Sequence, residues 1–284
     1  MKFLVLGASG MAGHTISLYL EENGHDVTGF DLKKVSHCKS IVGDARNTDQ
    51  IESIIEEGRF DSVINCVGIL NQFAEQNKQL AVFLNSYLPH FLASITADTN
   101  TQIIHMSTDC VFSGARGGYT EGDLRDGATF YDRTKALGEL EDDKNITMRN
   151  SIIGPDINPK GIGLLNWFMQ QTGTVNGFTK AMWTGVTTLQ LAKAMEVAAE
   201  EKAHGLYNMV YKEAISKHDL IGLINHHIRG DAITIVPFDT FVADKSLKRT
   251  RFEFGFSIPD YETMIIELAE WITDHKDMYP HYHL

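Results

Sequence analysis

A tyrosine and a lysine four positions apart, Tyr131 and Lys135, are the residues in this sequence best suited to acid–base chemistry. The apolar pattern predicts a helix over residues 131–142, so both side chains would project from one face. A free tyrosine titrates near ~10, and a neighbouring ammonium group lowers that pKa by favouring the phenolate. Such a tyrosine can protonate a ketone oxygen as hydride reaches the carbon, which is general acid catalysis worth roughly 10²–10⁴-fold.

A hydroxyl group that hydrogen-bonds the same ketone would complete this chemistry. Thr108 is the predicted donor because it ends a predicted strand at residues 101–108. Ser107 is the alternative, since neighbouring residues in a strand face opposite ways. A surface helix pair and an ordinary strand-end hydroxyl are the competing interpretations, and the glycines at the start of the chain weigh against both.

A glycine-rich turn lies between a predicted strand at residues 2–7 and a predicted helix at residues 11–22. Glycine permits a tight turn and lets the backbone approach a pyrophosphate at the helix N-terminus. A flexible turn is the competing interpretation, but the strand–turn–helix context favours a dinucleotide site. The predicted cofactor-binding residues of the turn are Gly7, Ser9, Gly10, Met11 and Gly13.

Asp31 ends the second predicted strand, where a carboxylate accepts hydrogen bonds from the adenosine ribose. Such a carboxylate repels the extra phosphate of NADP, whereas Lys33 would offset that repulsion. NAD and NADP therefore both remain candidate cofactors. Asp44 and Ala45, after the third predicted strand, are expected beside the adenine, with a plain turn as the alternative for Asp44.

The elements that must position these residues alternate between short apolar runs and helical patterns. The predicted strands are residues 2–7, 25–31, 40–44, 61–68, 101–108 and 145–151. The predicted helices between them are residues 11–22, 48–57, 79–97, with a kink at Pro89, and 131–142. This alternation predicts an α/β Rossmann-type, doubly wound parallel sheet, with ligands beyond the carboxyl ends of its strands.

After Ser151 the regular alternation of predicted strands and helices gives way to a mixed pattern. We predict an NAD(P)-binding domain at residues 1–154, to which the chain returns at about 186–211, and a smaller, mixed substrate-binding region at 155–185 and 212–284. Residues 172–185 are predicted to be irregular. Helices are predicted at 188–202, 217–229 and 260–274, and strands at 205–210 and 233–238.

Composition narrows the class of protein. The chain has 284 residues, 43% of them hydrophobic, and a formal net charge of −12. An acidic surface argues against a general nucleic-acid or membrane-surface binder. The three cysteines lack a paired spacing, and no apolar run approaches the roughly 18 residues that a membrane helix needs. We expect a cytoplasmic protein with no metal site, and interpret His281 and His283 as an exposed tail.

The motifs resemble those of the extended short-chain dehydrogenases, and within them the dTDP-4-dehydrorhamnose reductase group. Residues 107–114, STDCVFSG, resemble the group's STDYVFDG segment, and residues 131–139, YDRTKALGE, resemble YGxxKxxGE. Residues 148–151, MRNS, are similar to LRTS, and residues 205–208, GLYN, to GxYH. The resemblance is ordered over residues 1–154 and patchy beyond them.

The resemblance implies further site residues. Cys66, Val67 and Gly68 would run beside the cofactor, and Lys135 would also hold the nicotinamide ribose. The residues expected at the substrate are Asn85, Ser107, Val111, Phe112, Ile152 and Trp183. Simple packing is the alternative for Trp183.

Several positions depart from the group's pattern. Cys110 replaces a tyrosine, Asp132 replaces a glycine, and Ile152 replaces an aromatic residue. Thr15 stands where some members carry a glutamate linked to a metal-bridged dimer. These departures leave the sugar and its nucleotide open, and a homodimer is a further expectation.

The resemblance implies NAD(P)H-dependent reduction of the C4 ketone of a nucleoside-diphosphate 4-keto-6-deoxy sugar, linked to dTDP or UDP, in polysaccharide biosynthesis. The alternatives are a nucleotide-sugar epimerase or dehydratase on the same fold, or a non-catalytic dinucleotide-binding regulatory subunit. A basic cluster could serve the substrate diphosphate or form a solvated face. It consists of Lys245, Lys248, Arg249 and Arg251.

Overall fold

A computed structural model describes residues 1–282, and a seven-stranded parallel sheet lies at its centre. Numbered in chain order, its strands are β1 (Lys2–Leu6), β2 (Asp26–Asp31), β3 (Lys39–Val42), β4 (Ser62–Asn65), β5 (Gln102–Ser107), β6 (Ile146–Arg149) and β11 (Gly205–Asn208). Across the sheet the order is β11-β6-β5-β4-β1-β2-β3. The order reverses between β1 and β4, where open α/β sheets bind ligands. The predicted Rossmann-type fold is confirmed.

Strand residues alternate between two apolar layers, one on each face of the sheet. Phe3 and Val5 pack with α1 (Met11–Glu22) and α8 (Thr188–Glu201) on one face. The neighbouring Leu4 packs on the other face, which α2 (Thr48–Gly58) and part of the helical segment 78–95 cover. Because both faces are covered, the strands read as continuous apolar runs.

The helix predicted over residues 79–97 is interrupted. It consists of α4 (Lys78–Ala81), a π-helical turn (Val82–Tyr87) and α5 (Leu88–Ile95). Pro89 has no N–H for the carbonyl of Asn85, so the regular ladder cannot continue through this turn. A Cβ atom at Gly138 would lie 1.9 Å from the same carbonyl, which shows how closely the following helix approaches here.

Two further predictions about this region were wrong in their boundaries. The helix predicted over residues 131–142 is α6 (Phe130–Leu137), which ends where Gly138 packs against the π turn. The strand predicted over residues 145–151 breaks at Asn150, where the chain leaves the main sheet as β6 and enters a small second sheet as β7 (Ser151–Ile153).

The region after Ser151 contains more strands than the sequence indicated. β7 pairs with β10 (Gly185–Thr187). The other short strands are β8 (Thr174–Phe178), β9 (Ala181–Trp183), β12 (Ile215–Ser216), β13 (Thr234–Phe238) and β14 (Ala243–Asp244). The prediction that residues 172–185 are irregular was therefore wrong. β8 pairs with β13 across a long stretch of chain, so no local pattern reveals it.

The remaining helices are α3 (Asn71–Gln76), α7 (Leu164–Met169), α9 (Lys217–Arg229) and α10 (Tyr261–Asp274). None of the helices in residues 1–282 combines the length and apolarity required to cross a lipid bilayer. The return of the chain to the main sheet is visible in β11, which forms its edge beside β6. His283 lies outside the described residues.

Candidate active site

Two adjoining cavities form one groove at the carboxyl ends of the strands that flank the order reversal. One cavity of about 290 Å³ adjoins the ends of β1 and β2. The other, of about 390 Å³, adjoins the ends of β5 and β6. Gly10, Cys66, Val67 and Gly68 line both cavities and form their shared wall. One elongated ligand can therefore occupy both.

The glycine turn is shaped for close approach of a ligand. Gly7 adopts the left-handed φ of 82°, and a Cβ atom at Gly13 would lie only 2.0 Å from the Gly7 carbonyl oxygen. α1 begins at Met11, and Gly10 before it supplies no side-chain cap for the first N–H groups. The uncapped helix N-terminus therefore suits the pyrophosphate of a dinucleotide.

The smaller cavity carries the acidic residues predicted for the adenosine half. Asp31 Oδ2 accepts a hydrogen bond from the Ser9 N–H at 2.8 Å, so the carboxylate is fixed beside the glycine turn. Asp31, Asp44 and Ala45 all line this cavity. Lys33 lies outside it, in an exposed bend after β2. The predicted place of Lys33 beside the cofactor is therefore not borne out by the geometry.

Thr108, Tyr131 and Lys135 all line the larger cavity. Tyr131 and Lys135 lie one turn apart on α6, and Thr108 directly follows β5. Lys135 Nζ donates a hydrogen bond to the Met106 carbonyl at 2.7 Å, which draws the ammonium group toward the end of β5. The three side chains that the sequence singled out are thus brought together at one surface.

A capping box fixes the start of α6. Thr129 Oγ1 accepts from the Asp132 N–H at 3.1 Å, and Asp132 Oδ2 accepts from the Thr129 N–H at 3.1 Å. Asp132, one of the departures from the family pattern, therefore has a structural role. It orients the first turn, which carries Tyr131.

Burial shifts the pKa values of the two central groups in opposite directions. It lowers the pKa of Lys135 to about 8, with the charge of Glu139 opposing this effect. Burial raises the pKa of Tyr131, and the nearby Cys110 adds to the rise. The expectation of a lowered Tyr131 pKa is therefore wrong for this geometry, because desolvation of the phenolate outweighs the effects that favour it.

Ser107, the alternative to Thr108, also lines the larger cavity but is engaged elsewhere. Its hydroxyl donates to Glu139 Oε1 at 2.6 Å. Glu139 forms a buried ion pair with Arg149, whose Nη2 lies 2.7 Å from Glu139 Oε2. Ser107 thus belongs to a buried polar network beneath the cavity, whereas Thr108 faces the groove.

Asn85, predicted at the substrate, instead forms structural hydrogen bonds behind the site. Its amide bonds both the N–H and the carbonyl of Ile69, at 2.9 and 3.0 Å. It also donates to Thr134 Oγ1 at 3.1 Å. Asn85 therefore connects the loop after β4 to α6, and it does not line either cavity.

Three other predicted substrate residues lie away from the groove, whereas Ile152 lines the larger cavity. Val111 and Phe112 are fully buried, and Phe112 stacks on Tyr119 with ring centroids 4.3 Å apart. Trp183 is 7% exposed and packs against an aromatic ring of α10. The structure thus does not bring these three side chains to the groove, and their contact with substrate stays a prediction.

The larger cavity is also lined by residues that the sequence motifs did not indicate. They are Ala12, Leu70, Asn71, Met106, Asp109, Cys110, Asn150 and Ser151. Most of them adjoin the ends of β4, β5 and β6, so the strand-end rule could have found them. Ser151 is the clearest omission, because the break between β6 and β7 turns it toward the groove.

Comparisons with known proteins show the family to which the chain belongs. The chain matches the family described as RmlD substrate binding domain over residues 1–152, more than half of its length. The probable low-salt glycan biosynthesis reductase Agl14 of Haloferax volcanii is 27% identical over 97% of this chain and 100% of the relative. The dTDP-4-dehydrorhamnose reductase of Aggregatibacter actinomycetemcomitans is 26% identical over 93% of this chain and 87% of the relative.

A solved structure of dTDP-4-dehydrorhamnose reductase from Bacillus anthracis, in complex with NADP, is similar in fold. The two chains are 20% identical, with a TM-score of 0.79 over 94% of this chain and 98% of the other. At this identity the likeness establishes the fold alone. The family resemblance inferred from the sequence motifs is confirmed by the family match.

Proposed function

The chain belongs to the RmlD substrate binding domain family, and we propose that it reduces the C4 ketone of a nucleoside-diphosphate 4-keto-6-deoxy sugar with NADH or NADPH. It is then an NAD(P)-dependent oxidoreductase. Two relatives that span nearly the whole chain are named as reductases, which supports this activity. The glycan biosynthesis named for one of them supports a role in polysaccharide assembly.

One observation carries the proposal. Thr108, Tyr131 and Lys135 line a cavity that shares a wall with the glycine-turn cavity. A hydride carrier in the groove and a ketone beside Tyr131 would therefore be neighbours. Neither cavity alone would account for a redox reaction.

The residues present fit a nicotinamide dinucleotide. The glycine turn and the uncapped start of α1 would hold the pyrophosphate, and Asp31 would hold the adenosine ribose. Lys135 would hold the nicotinamide ribose. When bound, the nicotinamide supplies the hydride for the reduction.

The chain supplies the proton and the polar contacts. Tyr131 donates its phenolic proton to the ketone oxygen, and Thr108 donates a hydrogen bond to the same oxygen. The positive charge of Lys135 stabilises the phenolate left on Tyr131. The raised pKa of Tyr131 keeps its proton in place at neutral pH, which suits the direction of reduction.

The substrate region would consist of residues 155–185 and 212–284, with residues 1–154 and 186–211 forming the cofactor domain. Of the four basic residues in the cluster after β14, Lys245 lies close enough to the site for its charge to lower the pKa of Asp109. Its Nζ lies 3.9 Å from Asp132 Oδ2. Arg249 instead donates to the backbone carbonyls of Phe254 and Phe256. Lys245 is therefore the candidate contact for the substrate diphosphate.

A dehydratase on the same fold is less well supported. Such enzymes use an acidic pair after the threonine, whereas Asp109 is followed here by Cys110. Burial raises the pKa of the Cys110 thiol to about 12, so it is no substitute for an acid of ordinary strength.

The test is oxidation of NADH and NADPH, followed by absorbance, with dTDP-linked and UDP-linked 4-keto-6-deoxy sugars offered separately. Turnover that is lost in Tyr131→Phe supports the proposal. Tyr87→Phe is the matched control, because Tyr87 is exposed, and this variant should leave the rate unchanged. Tight dinucleotide binding without turnover of any substrate would favour the regulatory or epimerase alternatives.

A further inference from the structure

Asp109 follows Thr108 directly, lines the larger cavity and is held by two hydroxyl groups. Thr108 Oγ1 donates to Asp109 Oδ1 at 3.1 Å. Ser151 Oγ donates to Asp109 Oδ2 at 2.7 Å. The Cys110 N–H donates to Thr108 Oγ1 at 3.1 Å. Both carboxylate oxygens, the Thr108 proton and one Thr108 lone pair are therefore engaged.

The Thr108 hydroxyl has a single proton to donate. In the proposed reaction that proton is needed at the ketone oxygen, where negative charge develops. An ionised Asp109 can only accept, so it competes for the same proton. A protonated Asp109 can itself donate to Thr108 and releases it from this competition.

We propose that Asp109 is a positioning residue whose charge decides whether Thr108 donates its hydroxyl proton to the substrate ketone. With Asp109 ionised, Thr108 donates to Asp109 and the ketone lacks this donor. With Asp109 protonated, the carboxyl O–H donates to Thr108, and the Thr108 proton is available to the ketone. The proposal rests on the proposed reductase function and adds a group whose protonation controls the rate.

The surroundings of Asp109 allow it to change charge. Burial raises the pKa of its carboxyl group, and the hydrogen bond from Ser151 is the largest effect that limits the rise. The hydrogen bond from Thr108 and the positive charge of Lys245 act in the same direction as Ser151. The balance of these effects leaves the pKa above its ordinary value.

The other titratable or charged groups around Asp109 come from the turn after β5, from α6 and from the segment after β14. They are Cys110, Tyr131, Asp132 and Lys245. Burial raises the pKa of both the Cys110 thiol and the Tyr131 phenol, so neither of these two changes charge on the acid side of neutrality.

The test is the pH profile of kcat for reduction, with saturating NADH and 4-keto sugar. In the wild type we expect kcat to fall roughly 100-fold as pH rises through the pKa of Asp109, since one lost oxyanion donor costs about 10²–10³-fold. In Asp109→Asn the amide oxygen must accept from Ser151, so the NH₂ group faces Thr108 and donates to it. This variant should keep the kcat that the wild type shows at low pH, and its kcat should not fall as pH rises across the acid range.

Ser151→Ala provides a second measurement that leaves Asp109 intact. Removing the Ser151 donor raises the pKa of Asp109 further, so the fall in kcat should move to higher pH. Ser113→Ala is the matched control, because Ser113 Oγ donates at 2.6 Å to the exposed Asp126, away from both cavities. Its profile should superimpose on that of the wild type.

Three results overturn the proposal while leaving the reductase function intact. The first two concern Asp109→Asn: its kcat still falls as pH rises across the acid range, or its activity is lost equally at every pH. The third is a Ser151→Ala profile that does not move relative to the wild type and Ser113→Ala. Failure of the wild type to reduce any 4-keto nucleotide sugar would instead overturn the proposed function, and this inference with it.

Discussion

At the scale of single residues, Lys135 gives the most direct prediction of how kcat depends on pH. Burial lowers its pKa to about 8, so it loses its charge at a pH where an exposed lysine keeps it. The protonated form is the one that stabilises the Tyr131 phenolate. We therefore expect kcat to fall as pH rises above about 8, measured under saturating substrate and cofactor.

Lys135→Met should remove this alkaline fall and lower kcat at every pH, by roughly 10²–10⁴-fold if the full acid-catalysis contribution depends on the lysine. The exposed Lys212→Met is a suitable control and should retain the wild-type profile. An unchanged alkaline fall in Lys135→Met would show that another group is responsible.

Asp31 is expected to set the choice of cofactor. Among the residues that line the adenosine cavity there are two carboxylates, of Asp31 and Asp44, and no basic side chain. Arg46 pairs with Asp44, so Asp31 is the carboxylate whose negative charge a 2′-phosphate would meet, and we expect NADH to have the higher kcat/KM. Asp31→Ser should lower kcat/KM for NADH by roughly tenfold, which corresponds to the loss of a contact worth about 1.4 kcal/mol. The same change should affect kcat/KM for NADPH less.

Asp26→Asn tests whether the effect is specific to the groove, because Asp26 lies at the other end of β2 and pairs with Lys39. It should leave both kcat/KM values unchanged. Equal losses for NADH and NADPH in Asp31→Ser would mean that Asp31 holds the loop rather than selecting the cofactor.

At the scale of elements, the junction of β1 and α1 depends on the missing side chain of Gly13. A Cβ atom there would lie 2.0 Å from the Gly7 carbonyl oxygen, so Gly13→Ala must displace the turn from the helix. We expect loss of NADH binding, measured by fluorescence titration, together with a lower unfolding temperature. Gly222→Ala on α9 is the control, because a Cβ atom there meets nothing within 4 Å.

The same helix should make folding stability sensitive to acid. His14 Nδ1 donates to the Gly10 carbonyl at 2.9 Å, and its Nε2 lies 2.9 Å from the Tyr279 hydroxyl. Burial lowers the pKa of His14 to about 4. The unfolded chain, with an ordinary histidine pKa, binds the proton first, so stability falls as pH drops from about 6.5 to about 4.

The size of this contribution is about 3 kcal/mol in the free energy of unfolding. Urea unfolding of His14→Gln across this pH range should give a shallower loss than the wild type. The exposed His204 provides the control, His204→Gln, which should follow the wild type. Parallel curves for the wild type and His14→Gln would contradict the assignment.

Elements differ in how far the sequence determines them. α1 and α9 begin and end as predicted, because strong apolar periodicity coincides with their ends. β8 and β9 were missed because their partners lie far along the chain. Packing between Gly138 and the π turn likewise shortens α6, and no local pattern encodes such a contact.

At the scale of the whole molecule, the doubly wound sheet and its ligand groove could be predicted because both follow from the order of elements. Thr108 was found for the same reason, since it directly follows β5, whereas Tyr131 and Lys135 were found by their spacing of four residues on α6. The burial of Val111, Phe112 and Trp183 away from the groove could not be predicted, because burial depends on tertiary packing. The domain division, a homodimer and a cytoplasmic location stay predictions.

The central claim is that hydride leaves the cofactor and remains on C4 of the sugar. The most direct measurement uses NADH that carries deuterium at the transferable position, with mass spectrometry and NMR of the sugar product. We expect a product that contains one deuterium, located at C4, and a stoichiometric amount of oxidised cofactor. A product without deuterium, formed while the cofactor stays reduced or is recycled, would contradict it and indicate an epimerase or dehydratase.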